Sequence, residues 1–144
     1  MATRSRIAIE KPDGKVESIY CHWDGYPEYN GRILVENYRD PAKVQALIDL
    51  GDISSLAPNV EADPDTGHTF NDPVDVLYAV VVAYGRDRGE TGVNKKSHDS
   101  VPDFFNGDIE EYGYLFTQEG QWLVKSWGRD NQPCTVEDYL KIYA

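Results

Sequence analysis

The chain has 144 residues, 40% of them hydrophobic and 12% aromatic, which excludes a disordered protein and fits one folded domain spanning residues 1–144. Its 14 Lys and Arg against 25 Asp and Glu give a net charge of −11 and a pI near 4.6. A field of that sign argues against direct nucleic-acid or membrane binding and favours a partner with a basic surface. The alternative is that the acidity only keeps the protein soluble.

The two cysteines, Cys21 and Cys134, are expected to be reduced thiols in a cytoplasm. The first residues lack the apolar segment of a signal peptide, and no apolar run approaches the ~20 residues that cross a bilayer.

Residues 5–11 and 16–23 alternate between apolar and polar side chains, and Asp13-Gly14 between them predicts a hairpin. Alternation places Tyr20 and His22 on one face. It places Ile19, Cys21 and Trp23 on the other, which we expect to be the core.

Two helices are predicted next. Leu34 and Tyr38 have the spacing of one face of a short helix over residues 31–38. A second helix begins at Pro41 with Asp40 as its cap and ends at Gly51. Its apolar stripe consists of Val44, Leu47 and Ile48.

Residues 57–75 contain three prolines and no Lys or Arg, which predicts an acidic surface loop. Its carboxylates are Glu61, Asp63, Asp65, Asp72 and Asp75. The run from Asp63 to Gly67 resembles a calcium loop, but the glycine comes one place early and no Glu follows at the twelfth position. No metal site is predicted here.

The most apolar run, residues 76–84, predicts a central strand of the sheet. Arg86, Asp87 and Arg88 follow at its end, and the polar residues 90–99 predict a loop.

A short helix over residues 100–107 and a hairpin of residues 112–117 and 121–127 follow, and Thr135 caps a last helix. We expect an α+β fold with about five mainly antiparallel strands, namely two hairpins plus a central strand, and helices packed on the sheet. The aromatic residues expected in the core are Tyr78, Phe104, Phe105, Trp122 and Tyr139.

The first candidate site is His22, Trp23, Asp24 and Tyr26 at the end of a predicted strand. A His and an Asp two apart could act as an acid and base pair or share a metal, and the rings could stack on a planar ligand. The structural alternative is that Tyr20 and Trp23 are core residues and that Asp24 makes the turn. No second His or Cys lies at ligand spacing, so no metal is predicted.

The second candidate is Arg86, Asp87 and Arg88, whose guanidiniums could clamp a phosphate or carboxylate. Ordinary surface ion pairing is the alternative. If these arginines lie near Trp23 and Tyr26, they would form a pocket for a nucleotide.

Catalytic signals are weak. The chain has no glycine-rich phosphate loop, and Cys21 belongs to the expected inner face, where it would be a buried apolar residue and not a nucleophile. The sequence therefore points away from an enzyme and predicts no cofactor.

Five segments of the chain resemble a family of small proteins encoded by tailed bacteriophages. They are Met-Ala-Thr-Arg-Ser-Arg-Ile-Ala-Ile-Glu at the start, Ser-Ile-Tyr-Cys-His-Trp-Asp-Gly-Tyr at 18–26, and residues 50–56, 86–90 and 111–116. This resemblance implies a phage accessory protein that acts in the bacterial cytoplasm, and it assigns no residue roles.

Three hypotheses follow. The leading one is a non-catalytic antagonist of a host protein, such as a defence protein, that binds a basic surface through residues 61–75 with Glu110 and Glu111. The second is a binding protein or sponge for a nucleotide-type signal that uses the aromatic and arginine residues. The third is a metal-dependent hydrolase that uses His22, Asp24 and Asp87.

Overall fold

The computed structural model describes residues 3–60, 80–107, 109–126 and 132–143, which form an α+β fold around one mixed sheet. The strands in these ranges are β1 (Ser5–Glu10), β2 (Val16–Cys21), β3 (Ile53–Ser55), β4 (Val82–Ala83), β5 (Lys96–His98), β6 (Tyr112–Phe116), β7 (Trp122–Ser126) and β8 (Cys134–Thr135). The helices are α1 (Arg32–Asn37), α2 (Pro41–Asp49), α3 (Tyr84–Arg88), α4 (Val101–Asn106) and α5 (Val136–Tyr143), with a π-helical turn at Pro27–Gly31 before α1. None of these helices is long and apolar enough to cross a membrane.

The strand order is β4-β3-β2-β1-β6-β7-β8, and β5 pairs with the other half of β2. Pairing is parallel between β1 and β6 and between β2 and β3, and antiparallel elsewhere in the described sheet. The prediction of a mainly antiparallel α+β fold is confirmed.

The centre of the described sheet is β1, and the described part of the apolar run, residues 80–84, does not form it. Ile7, Ala8 and Ile9 are all buried because β1 lies between β2 and β6 and is covered on both faces. The described end of the apolar run forms β4, which lies at an edge. An apolar run indicates that its residues are buried, but not that they form a central strand. Val81 and Ala83 belong to the main hydrophobic core, so this edge segment is buried by packing against that core.

The strand count was also wrong, because the described sheet has eight strands and the prediction had about five. The three additional strands are β3, β5 and β8, each of two or three residues. Strands that short show no measurable alternation. The predicted polar loop at residues 90–99 contains β5, which pairs with β2.

Both predicted hairpins are confirmed. Gly14 makes the turn between β1 and β2 with φ of 85°, and Gly120 makes the turn between β6 and β7 with φ of 83°. These left-handed conformations are the reason that glycine is needed at both turns.

The first face of the sheet is covered by α1, α2 and α5. Leu34 in α1 and Tyr38 directly after its end are both fully buried, although the helix ends at Asn37 and not at residue 38. The Tyr38 hydroxyl donates to the Ala57 carbonyl at 2.7 Å. Asp40 caps α2 by accepting the Ala42 N–H at 3.0 Å. The predicted start of α2 is therefore confirmed, and the helix ends at Asp49, two residues before Gly51.

The second face is covered by α4, whose Phe104 and Phe105 pack on Ala8, Val16 and Leu115. The Ser100 hydroxyl accepts the Asp103 N–H at 3.2 Å and caps α4. The two phenylalanines, with Trp122 and Tyr139 on the first face, are buried as expected. Tyr78 lies outside the described residues.

Candidate functional site

The candidate segment begins where β2 ends. The N–H groups of His22 and Trp23 continue the pairing with β3 by donating to the carbonyls of Ile53 and Ser54 at 3.2 and 3.0 Å. Asp24 then adopts a left-handed conformation with φ of 59°, which turns the chain. This geometry agrees with the prediction that Asp24 makes the turn.

The prediction that Trp23 faces the core is wrong. Its side chain is 44% exposed, because the strand ends at Cys21 and alternation no longer controls the orientation of later residues. Cys21 itself is fully buried, and burial raises the pKa of its thiol to about 12. Tyr20 is half-buried on the second face of the sheet, so the reading of Tyr20 as a core residue fails as well.

Hydrogen bonds from neighbouring residues hold the backbone of this segment in place. Asn30, which is fully buried, donates through Nδ2 to the Trp23 carbonyl at 3.2 Å and to Cys21 Sγ at 3.4 Å. The Gly25 N–H donates to the Thr3 carbonyl at 2.8 Å, and the Tyr114 hydroxyl donates to the Gly25 carbonyl at 2.5 Å. These contacts tie the turn to the sheet on both sides.

The turn presents three large rings to solvent. Trp23, Tyr26 and Tyr29, here called the aromatic segment, are 44%, 37% and 43% exposed. The rings of Tyr26 and Tyr29 lie 6.2 Å apart, and the edge of His22 meets Trp23 at 4.8 Å. Of the large apolar side chains that the structure describes as exposed, the only other is Ile142 in α5.

Carboxylates lie near two of these rings, those of Tyr26 and Tyr29. Burial raises the pKa of Tyr29, and the charge of nearby Asp24 raises it further. Tyr26 lines a surface cavity of about 630 Å³ together with the exposed Glu111. We call Asp24, Glu28 and Glu111 the acidic margin of the aromatic segment.

Only part of the predicted acidic face can be placed. Glu111 is exposed, whereas Glu110 is half-buried with φ of 60°. The remaining members lie outside the described residues: Glu61, Asp63, Asp65, Asp72 and Asp75.

Arg86, Asp87 and Arg88 belong to the helix α3, which directly follows β4, an edge strand and not the predicted central strand. The Arg86 guanidinium donates to Asp87 at 3.0 Å and to the carbonyls of Val60 and Val81 at 2.6 and 2.8 Å. Arg88 lies over the Tyr84 ring at 5.5 Å. Arg86 thus uses all three of its nitrogens within the chain, which leaves it poorly suited to clamp a ligand.

The structure does not join the two predicted groups. No contact described for Arg86 or Arg88 reaches Trp23 or Tyr26. His22 Nδ1 is hydrogen-bonded to the Tyr20 hydroxyl at 2.8 Å. Within the described ranges, no group of three or more His, Cys, Asp or Glu side chains is arranged to hold a metal ion.

Sequence reasoning missed a hydrogen-bonded network of three polar side chains on the second face of the sheet, Arg6, Ser18 and His98. Arg6 is only 6% exposed, and its Nη1 donates to Ser18 Oγ at 3.4 Å. Ser18 Oγ is 2.7 Å from His98 Nε2, and the His98 ring meets the edge of Phe104 at 5.3 Å. The only sequence signal was an arginine at an alternating position of a central strand.

The donor roles around Ser18 follow from its partners. Arginine has no acceptor, so Ser18 Oγ accepts from Arg6. Toward His98 Nε2, the hydroxyl donates when that nitrogen is unprotonated and accepts when it carries a proton. Burial lowers the pKa of His98, and the charges of Arg6 and Lys96 lower it further, which favours the neutral ring.

No family model, no curated protein and no solved structure matches this chain.

Proposed function

We propose that this chain is a non-catalytic accessory protein of tailed bacteriophages that binds a basic surface of a host protein, such as a defence protein, in the bacterial cytoplasm and so antagonises it. The observation that carries the proposal is the exposure of Trp23, Tyr26 and Tyr29 on one fixed turn.

Exposed tryptophan and tyrosine rings suit a protein interface. These residues dominate the binding energy of many interfaces, because a ring buries a large area and has only two side-chain torsions to order. Single exposed apolar residues are ordinary on a protein surface. Three rings within residues 23–29 are therefore more informative than their separate exposures.

The fixed backbone supports the same function. Binding loses free energy whenever a flexible loop must be ordered in the complex. Here the contacts of Asn30, Gly25 and Tyr114 already order the turn in the free protein. The rings are thus presented at low entropic cost.

Charge supports a partner with a basic surface. In the acidic margin, Asp24 lies near Tyr29, Glu111 lines a cavity with Tyr26, and Glu28 lies between these two tyrosines in the sequence. The whole chain has a net charge of −11. The five carboxylates of residues 61–75 add to this field at long range. A partner surface rich in Lys and Arg would be attracted and could also stack its guanidiniums on the rings.

The test begins with host lysate passed over the immobilised protein, and the captured protein is then purified and titrated by calorimetry. We expect the Trp23→Ser, Tyr29→Ser double variant to weaken binding about tenfold or more, since each tenfold corresponds to ~1.4 kcal/mol. The matched control is Ile142→Ser, which removes an apolar side chain that is 67% exposed in α5. This control should bind like the unmodified protein.

Capture from the lysate alone does not support the proposal. It is overturned if no purified host protein binds, or if the double variant and Ile142→Ser bind equally well. Circular dichroism of each variant verifies that the fold is intact.

A further inference from the structure

We infer that the surface cavity beside Tyr26 receives one arginine side chain of the protein's binding partner. This inference rests on the proposed function, because the arginine belongs to the basic surface of the host protein. Short peptides replace the host protein in its test, so that the two can fail separately.

The cavity lies at one end of the sheet, where β1 and β6 begin and β7 ends. Its volume is about 630 Å³, and its lining residues are Thr3, Tyr26, Glu111, Tyr112 and Ser126. Tyr112 pairs with Ser126 on one side and with Ser5 on the other, so the sheet fixes this wall in the free protein. A volume of this order is typical of natural ligand sites. It is large enough for a long side chain.

A carboxylate is held at this cavity. Glu111 is exposed, and its Oε2 accepts the backbone N–H of Arg4 at 2.6 Å. The Glu111 N–H also donates to the Arg4 carbonyl at 3.2 Å, so the backbone before β1 fixes both parts of the residue. Within the described ranges, Glu111 forms no ion pair. Its charge is therefore positioned for a cation from outside the chain.

Two tyrosine rings line the same cavity. Tyr26 is 37% exposed, and Tyr112 is half-buried with its ring against the edge of Tyr139 at 6.3 Å. A cation placed over the face of a tyrosine ring is attracted by the electrons of the ring. The rings and the carboxylate of Glu111 thus favour a ligand of the same sign.

The described cations next to the lining residues in the chain are Arg4 and Lys125. The charge of Arg4 acts on Tyr20, which lies on the second face of the sheet. Alternation along β7 directs Lys125 to the face opposite Ser126. In the part of the chain that the structure describes, no hydrogen bond or ion pair joins a cationic side chain to Glu111.

A further carboxylate lies on the same face as Tyr112. The charge of Glu28 acts on Tyr114, which follows Tyr112 by two residues in β6. Glu110, in contrast, acts with Arg4 on Tyr20, so these two opposite charges belong to the second face. The first face at this end of the sheet therefore has an excess of negative charge.

The lining residues favour arginine over lysine. A guanidinium is planar and weakly hydrated, so it stacks on a tyrosine ring more readily than an ammonium does. It also has five N–H donors in one plane. The acceptors that line this cavity are the Glu111 carboxylate and the hydroxyls of Thr3 and Ser126.

The experiment is a nuclear magnetic resonance titration of the intact protein with acetyl-Gly-Arg-Gly-amide at constant ionic strength. Two further peptides replace the arginine by lysine and by citrulline, whose neutral urea group has the shape of a guanidinium. We expect saturable shifts of the Thr3, Glu111 and Ser126 amide signals with the arginine peptide, weaker binding of lysine and no saturable shift with citrulline. Equal binding of the citrulline or the lysine peptide overturns the inference.

Two variants locate the binding site. Glu111→Gln removes the charge but keeps an oxygen that can accept the Arg4 N–H, and we expect the arginine peptide to bind about fivefold more weakly. The matched control is Glu119→Gln in the β6–β7 turn, which removes the same charge from another exposed position. This control should bind like the unmodified protein. An unchanged affinity in Glu111→Gln, or an equal loss in both variants, shows that the cavity is not the site.

The outcomes separate this inference from the proposed function. If a purified host protein binds through the aromatic segment but the arginine peptide does not bind, the inference is wrong and the proposed function stands. If the arginine peptide binds as expected but no host protein does, the guanidinium site is supported and antagonism of a host protein is wrong.

Discussion

At the scale of single residues, the neighbours of His98 disfavour its charged form. Its Nε2 is hydrogen-bonded to Ser18, which also accepts from Arg6, and its ring packs on Phe104. Protonation would place a second cation near Arg6. The contacts of the folded state therefore disfavour the charged ring.

This predicts how stability depends on pH. Burial, with Arg6 and Lys96, lowers the pKa of His98 in the folded state below its ordinary value of 6.5. As the pH falls below that value, the unfolded state binds the proton first, so the free energy of unfolding decreases until the folded pKa is reached. Above that value both states are neutral and the effect disappears. Asp103 opposes the shift and limits its size.

The measurement is the free energy of unfolding in urea for the protein and for His98→Gln, from neutral pH to mildly acidic pH. The difference between the two free energies of unfolding should change with pH below the ordinary pKa of His and stay constant above it. Parallel pH profiles for the two proteins would show that His98 has the same pKa in both states.

At the scale of elements, the turn after β2 depends on close packing at Gly25. A Cβ at this position would lie 2.8 Å from Ser5 Cβ and 2.9 Å from the Thr3 carbonyl oxygen. Ser5 belongs to the central strand β1, so these neighbours cannot move without disturbing the sheet. The aromatic segment is thus supported by a contact that only glycine permits.

Gly25→Ala should therefore destabilise the fold by about 1–3 kcal/mol, the usual cost of overpacking. The matched control is Gly85→Ala in α3, where the nearest side-chain atom would lie at an ordinary 3.5 Å. That change should be neutral or stabilising by up to about 1 kcal/mol, because alanine favours helix. Chemical denaturation followed by tryptophan fluorescence compares the two, and equal effects would contradict the proposed role of the close contact.

At the scale of the whole molecule, net charge affects the rate of association with a charged partner. A charge of −11 attracts a basic surface over a distance of about the Debye length, ~8 Å at physiological salt. Attraction of this kind acts on encounter and weakens with added salt. In the proposed complex, the aromatic segment would act after encounter, when its rings become buried against the partner.

We therefore expect the association rate constant with the host partner to fall by roughly tenfold or more from low to high salt, while the dissociation rate changes much less. Surface plasmon resonance with the purified partner measures both rates. Trp23→Ser should show the reverse pattern, with faster dissociation and an unchanged salt dependence. An association rate that does not respond to salt would contradict electrostatic attraction.

Sequence alone was sufficient wherever a local pattern decides the structure. The turns at Gly14 and Gly120 require a left-handed residue, and Asp40 and Ser100 cap helices through contacts only two or three residues away. The alternation within β1, β2, β6 and β7 is likewise a local signal. These features predicted both hairpins, the helices α1, α2, α4 and α5, and the α+β class.

Tertiary structure decided whatever depends on residues far apart in the chain. Only the pairing of β1 with β6 shows that β1 is central, and only the carbonyls of Val60 and Val81 show that Arg86 is already engaged. Trp23 is exposed because β2 ends before it, and Arg6 is linked to His98 through Ser18 because β5 pairs with β2. Such contacts leave no periodic trace in the sequence, because each depends on which strand or helix packs beside the residue and not on its neighbours in the chain.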